Sequence, residues 1–210
     1  MCIRDSLGHL VKSMIDRSLD AAMSGSEDDA AALSRLDDDV DTLYEEIIRY
    51  LGKLSQAALI NPQPQYLQNF VGIANYLENI GDVVEKDLIA VVGKRNRKRL
   101  SISESTAAEL RALATEVSRA FDLALTAVET GDPGDALDVL ESKEAVSALA
   151  EEANAHLAKR LVADEPNRLE NFQMETEIIE IYKRFNTLTR RIARLAVEAP
   201  EPDTEAAGAK

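Results

Sequence analysis

Proline occurs at only six positions of this chain: 62, 64, 133, 166, 200 and 202. Proline removes a backbone donor and clashes with the preceding helical turn, so helices end there. The stretches between these positions are long, and each repeats apolar residues at steps of three and four, which is one buried helical face. No run of strand-like alternation with turn signals interrupts them. The chain therefore reads as all-α.

Six helices follow from that punctuation. The first spans about 7–24, with Leu7, Val11, Ile15 and Leu19 in line and Gly25 as its stop. The second starts near Ser26, with Glu27, Asp28 and Asp29 in the turn where carboxylates suit the helix dipole. Its apolar stripe is Leu36, Val40, Leu43, Ile47, Leu51 and Leu54, and Asn61-Pro62-Gln63-Pro64 ends it. The third covers about 65–92, with Gly93 and a basic run at its close. Ser103 suits the N-cap of the fourth, and Thr106 competes for that role with Glu109 three residues on. Gly131-Asp132-Pro133-Gly134 is a turn, after which the fifth helix covers about 135–162 and the sixth 168–197. Short loops force neighbouring helices antiparallel. The layout is two tandem antiparallel three-helix bundles, 7–93 and 101–198, with a basic linker at 94–100 and a disordered tail at 199–210. Residues 77–82 set over 182–187 give a repeat offset of 105, half of the 210 residues.

Charge narrows the function. Lys and Arg total 24 against 38 Asp and Glu, a formal net charge of −14. Such a chain repels phosphate backbones, which excludes a nucleic-acid-binding role. The longest purely apolar run is Leu88 to Val92, far short of the roughly 20 residues that span a bilayer. The single cysteine, Cys2, excludes disulfides and thiolate metal sites. A di-iron carboxylate site needs Glu-x-x-His pairs, but Ser6 and Ala153 precede His9 and His156 at that spacing. With no strand there is no glycine-rich phosphate loop. The chain reads as a non-enzyme. The first six residues, Met1 to Ser6, resemble an adaptor-derived leader seen in translated metagenomic fragments, which puts the native start near Leu7.

One polar pattern stands out. Asn75, Glu78, Asp82 and Glu85 follow at steps of three, four and three, so they share a face of the third helix. Asp37, Asp38, Asp41 and Glu45 are similarly spaced on the second. Paired antiparallel, the two stripes face each other, and a cation relieves their repulsion. Oxygen ligands alone select Mg, Ca, Mn or Fe. The competing reading is a solvated acidic face. Gly81 beside Asp82 costs about 1 kcal/mol inside a helix relative to alanine, which points to a close helix approach there.

The segment Ile73-Ala74-Asn75-Tyr76-Leu77-Glu78-Asn79-Ile80-Gly81-Asp82 resembles the helix-three motif of PhoU domains, close to I-A-x-x-L-E-R-I-G-D. Asp38 to Ile47 is similar to their acidic helix-two motif. The resemblance implies tandem three-helix bundles and E/D-x-x-x-D metal sites, with Glu78 and Asp82 as ligands and Asp38 and Asp41 as their helix-two partners. The second repeat has Lys183 and Thr187 at the corresponding places, so it carries no second site of this kind. That degraded repeat resembles the C-terminal PhoU domain of bacterial Na/Pi cotransporter family proteins. The resemblance then implies a regulatory domain at the cytoplasmic face of the membrane, with the sodium-dependent transporter domain, missing here, as partner. The alternative is a stand-alone PhoU regulator that contacts phosphate-signalling proteins, and a helical metal-binding scaffold is a third. Self-association is compatible with each.

Two further features have weaker expectations. Lys94, Arg95, Arg97, Lys98 and Arg99 suit contact with an anionic membrane surface, or simply capping of a helix end. His9 and His156 are isolated and read as ordinary surface or half-buried histidines.

Overall fold

The computed structural model describes residues 3–57, 64–162 and 166–197. Its helices are α1 (Ile3–Ser24), α2 (Glu27–Ala57), α3 (Pro64–Asp82), α4 (Ile89–Lys98), α5 (Glu104–Thr130), α6 (Pro133–Leu161) and α7 (Arg168–Val197). A π-helical turn, Val83–Leu88, joins α3 to α4. These three segments make one rod, so the topology is the expected six rods, and no strand occurs among the described residues. The expected tail at 199–210 lies outside them.

The local chemistry of the ends explains the boundaries. Ser26 Oγ accepts from the Asp29 N–H at 3.0 Å and starts α2. Ser103, not Thr106, caps α5, accepting from the Thr106 N–H at 3.2 Å. Asp132 caps α6 through the Gly134 N–H at 2.7 Å, with Pro133 in the first turn, where its missing donor costs nothing. Gly131 closes α5 with φ of 69°, a left-handed geometry that glycine adopts without a Cβ penalty.

The third rod runs further than its sequence suggests. It passes through Gly93 to Lys98 and stops at Arg99, which adopts φ of 52°. Most of the expected linker is thus helix. Arg95 donates to the Ser24 carbonyl at 2.7 Å and Asn96 Nδ2 to that of Gly25 at 2.8 Å. The end of α4 therefore fastens the α1–α2 turn. Lys94 pairs with Glu177 at 2.7 Å and Lys98 lies 3.8 Å from Glu170. Three of the five basic side chains are committed within the molecule, which favours capping and packing over a membrane surface.

α1, α2 and the α3–α4 rod pack on one another, as do α5, α6 and α7. The two bundles join chiefly along α3 against α7 and α1 against α5. One continuous apolar core runs through both, including Val11, Ile15, Leu77, Ile80, Phe121 and Phe185. Ser18 and Tyr182, buried across the joint, share a hydrogen bond of 2.6 Å. α2 departs from expectation. Of its apolar stripe only Val40 is fully buried, while Leu36, Leu43, Ile47 and Leu51 are partly covered and Leu54 is exposed. α2 has 31 residues and its neighbour α1 has 22, so the end of α2 outruns its cover.

Candidate functional site

The acidic faces of α2 and the third rod do meet, but through a different set of side chains. Asp37 of α2 lies against Gly81 and Asp82 at the end of α3. Carboxylate oxygens of Asp37, Asp82 and Glu85 lie within 4.8 Å of one another. This is the one group of three acids so arranged among the described residues.

Asp37 sits on the buried face of α2, in register with Leu33 and Val40 at steps of four and three. Its side chain is 4% exposed. A carboxylate fits there because Gly81 offers no side chain: a Cβ at that position would stand 2.7 Å from Asp37 Oδ1 and 3.3 Å from Val40 Cγ1. The close approach inferred from Gly81 is therefore real, and its beneficiary is a carboxylate. That same Oδ1 is buried and has no hydrogen-bond partner. An unpaired buried acceptor costs roughly 1–3 kcal/mol, more when charged.

The π-helical turn aims the third acid. Its ring is one residue longer than an α turn, closed by the Ile89 N–H on the Val84 carbonyl. Val83 and Val84, adjacent in sequence, are both buried there. Glu85 is then carried toward Asp37, while Lys86 reaches back to Asp82 as an ion pair.

Electrostatics follow from this crowding. Burial, then the charges of Glu85, Asp41 and Asp82, push the Asp37 carboxyl up to about 7, with Lys86 opposing in part. Burial, then Asp82 and Asp41, also raises Glu78. Either a proton or a cation settles this cluster at neutral pH.

Of the four expected ligands, Asp82 is in the cluster. Glu78, half-buried one turn earlier, feels Asp82 and Asp41 electrostatically but is not among the three converging acids. Asp38 and Asp41 are exposed. Asp37 and Glu85, each present in the acidic stripes but not named as ligands from the sequence, complete the converging trio. A signal for Asp37 was its i+4 and i−3 relation to the apolar Leu33 and Val40. The donor set consists of carboxylate oxygens, one of them an orphaned buried atom, and it suits a hard or intermediate cation such as Mg, Ca, Mn or Fe. Asp37, Asp82 and Glu85 would hold it. Neither His9 nor His156 joins the group.

Residues 5–86 match the family model of the PhoU domain. The chain is 25% identical over 199 residues to YjbB of Salmonella typhimurium, a protein named for inorganic phosphate export. That alignment covers 95% of this chain and 36% of YjbB, so the chain spans about a third of that relative's length. A phosphate-specific transport system accessory protein PhoU homolog from Clostridium acetobutylicum is 36% identical over 94 residues, covering 43% of this chain and 42% of its own. Among solved structures, PhoU from Pseudomonas aeruginosa superposes with a TM-score of 0.82 at 18% identity, over 93% of this chain and 92% of that one. The phosphate transport system regulatory protein PhoU from Streptococcus pneumoniae gives 0.78 at 16% identity, covering 93% and 90%. Residues 5–86 thus resemble a PhoU domain in sequence, and nearly the whole chain shares the fold of the solved PhoU structures.

Proposed function

We propose that the chain regulates phosphate transport by protein contact rather than by catalysis, as a PhoU regulator in its own right, with a cation held by Asp37, Asp82 and Glu85. The observation that carries the cation is the orphaned oxygen of Asp37, packed over Gly81 with two more carboxylates converging on it. The equivalent place in the second bundle is neutral and hydrogen-bonded. Ser142 and Asn186, each 105 residues on from Asp37 and Gly81, bond each other at 2.9 Å. A fold that can fill this position with a satisfied pair keeps an unsatisfied carboxylate in one copy. Selection for a ligand accounts for that difference.

The regulatory reading rests on the PhoU domain match and on solved PhoU structures that the chain covers almost end to end. The test is complementation of a bacterial strain lacking its own PhoU. Restored repression of a phosphate-starvation reporter at high phosphate is expected. Unchanged reporter activity with soluble, folded protein present would overturn the stand-alone role. The cation is tested separately. Elemental analysis and calorimetry on purified protein are expected to show a divalent or trivalent ion. Asp37→Asn or Asp82→Asn should cut its affinity tenfold or more, and Asp38→Ala should leave it unchanged. Equal loss in all three variants would sink the assignment.

One observation favours a second reading. The alignment to YjbB takes in 95% of this chain but only 36% of that relative. On this reading the chain is the regulatory part of a longer membrane-attached phosphate transporter and acts on that transporter. The relatives' names speak of phosphate export and phosphate-specific transport, so sodium coupling has no support from them. No helix among the described residues is long and apolar enough to cross a membrane. Genomic sequence coding for membrane spans directly upstream and in frame would favour the fused form. A promoter and ribosome-binding site there would favour the separate one.

A further inference from the structure

A groove of about 590 Å³ opens where the third rod lies beside α7. Its walls are one face of the π turn and α4, and one face of α7. Asp87 pairs with Arg184 at 2.9 Å and Lys94 with Glu177 at 2.7 Å, so the two walls run antiparallel and are tied at two points. Between the ties the floor is Ala90, Val91 and Ile181, and the small Ala90 leaves the space open.

Cations are concentrated here. Lys86, Lys94, Arg97 and Arg184 all line the groove, in a chain whose net charge is −14. Lys86 is already paired with Asp82, and three carboxylates line the groove too. Asp87 and Glu177 neutralise Arg184 and Lys94, and Glu180 pairs with Lys183 at 2.7 Å. Arg97 makes no ion pair among the described residues. It is exposed and folded back over Gly93, where a Cβ would stand 3.0 Å from its guanidinium. The pairs that close the groove are themselves solvent-exposed on at least one side. Exposed pairs are worth about 0–1 kcal/mol, so a more highly charged anion competes with those carboxylates for the same cations.

The geometry points to this groove as a binding site for a phosphorylated small molecule. Its phosphates lie against Lys94, Arg97 and Arg184, and its organic body lies over Ala90, Val91 and Ile181. Guanidinium groups present a planar fork that matches phosphate oxygens. The volume falls in the range of small-molecule sites, roughly 300–1,000 Å³, which leaves room for more than a lone phosphate. The apolar floor gives that extra part something to bury. The assignment does not depend on a cation at Asp37, since none of the three converging acids lines the groove.

The test is calorimetry on the whole chain at physiological ionic strength, with a chelator present so that the acidic cluster is empty. The probes are ATP, inorganic tripolyphosphate and inorganic phosphate. ATP is expected to bind saturably at one site, more tightly than tripolyphosphate, with inorganic phosphate weakest. Arg97→Ala and Arg184→Ala should each weaken ATP by about tenfold or more, the loss expected for a charged hydrogen bond. Arg49→Ala, an exposed arginine on α2, and Asp37→Asn should leave it unchanged. No saturable binding of ATP would overturn the proposal. So would tripolyphosphate binding as tightly as ATP, or Arg49→Ala or Asp37→Asn weakening ATP as much as Arg97→Ala does. Helical circular dichroism of each variant confirms that a lost signal is not lost folding.

Discussion

The two bundles of this molecule solve the same packing problem at one position with opposite chemistry. In the first, Asp37 of α2 presses its carboxylate on Gly81, and one oxygen goes without a partner. In the second, the Ser142 hydroxyl lies 2.6 Å from the Val139 carbonyl and 2.9 Å from Asn186 Oδ1, with its one proton shared between these acceptors, and neither side chain leaves a buried atom without a partner. The neighbours diverge in step. At the same 105-residue offset, Glu78 and Asp82 correspond to Lys183 and Thr187, which bond Glu180 and the Lys183 carbonyl. Glu85 corresponds to Arg190, whose Nε donates to the Leu140 carbonyl at 3.3 Å. At this position the second bundle keeps a neutral, hydrogen-bonded pair. The first keeps a strained electrostatic arrangement that stability alone does not explain.

That contrast can be broken most severely at Gly81. Gly81→Leu should cost about 3 kcal/mol by overpacking against Asp37 and Val40, lowering the melting temperature by roughly 6–12 °C in calorimetry. A smaller loss would mean that the helices part easily there. The next effect is a gain. Asp37 is raised from 3.8 to about 7 in the fold. The folded state therefore binds the proton more tightly than the unfolded chain does. That contribution is fully present below pH 4 and is lost as the pH rises through about 7. In chelator, Asp37→Asn should stabilise the protein by about 2 kcal/mol at pH 8 relative to wild type and flatten the change between pH 4 and 8, measured by urea unfolding. Wild-type stability that rises over that interval, with no such flattening in the variant, would remove the buried-carboxylate account. In the copy, Ser142→Ala should cost about 1 kcal/mol by stranding Asn186, with no change in metal content. Lys183→Ala should stay within about 0.5 kcal/mol of wild type, because its pair with Glu180 is exposed.

The rods were legible because prolines, caps and apolar spacing are local signals, and these place α5, α6 and α7 within about two residues. The acidic site was legible only in part. Asp37 and Asp38 are neighbours in sequence, yet successive residues turn by about 100° around a helix. Which one meets Gly81 depends on the rotation of α2 about its axis, and that rotation is set by how Leu33 and Val40 seat in the core. The acidic stripe by itself does not reveal it. The π turn was not legible either, since the run from Tyr66 to Val91 fits an unbroken α pattern. The basic run was misread as a linker because its role is long-range. Arg95 and Asn96 serve carbonyls 71 residues away, and Lys94 an acid 83 away.

The extra residue in that widened turn has a mechanical consequence. Glu85, Lys86 and Asp87 leave it toward Asp37, Asp82 and the α7 wall in turn. Rewinding it into ordinary helix would swing everything downstream by about 100° and re-aim all three charges together. Evolution can therefore exchange those side chains one at a time, but a deletion within the turn would disconnect both sites in a single step.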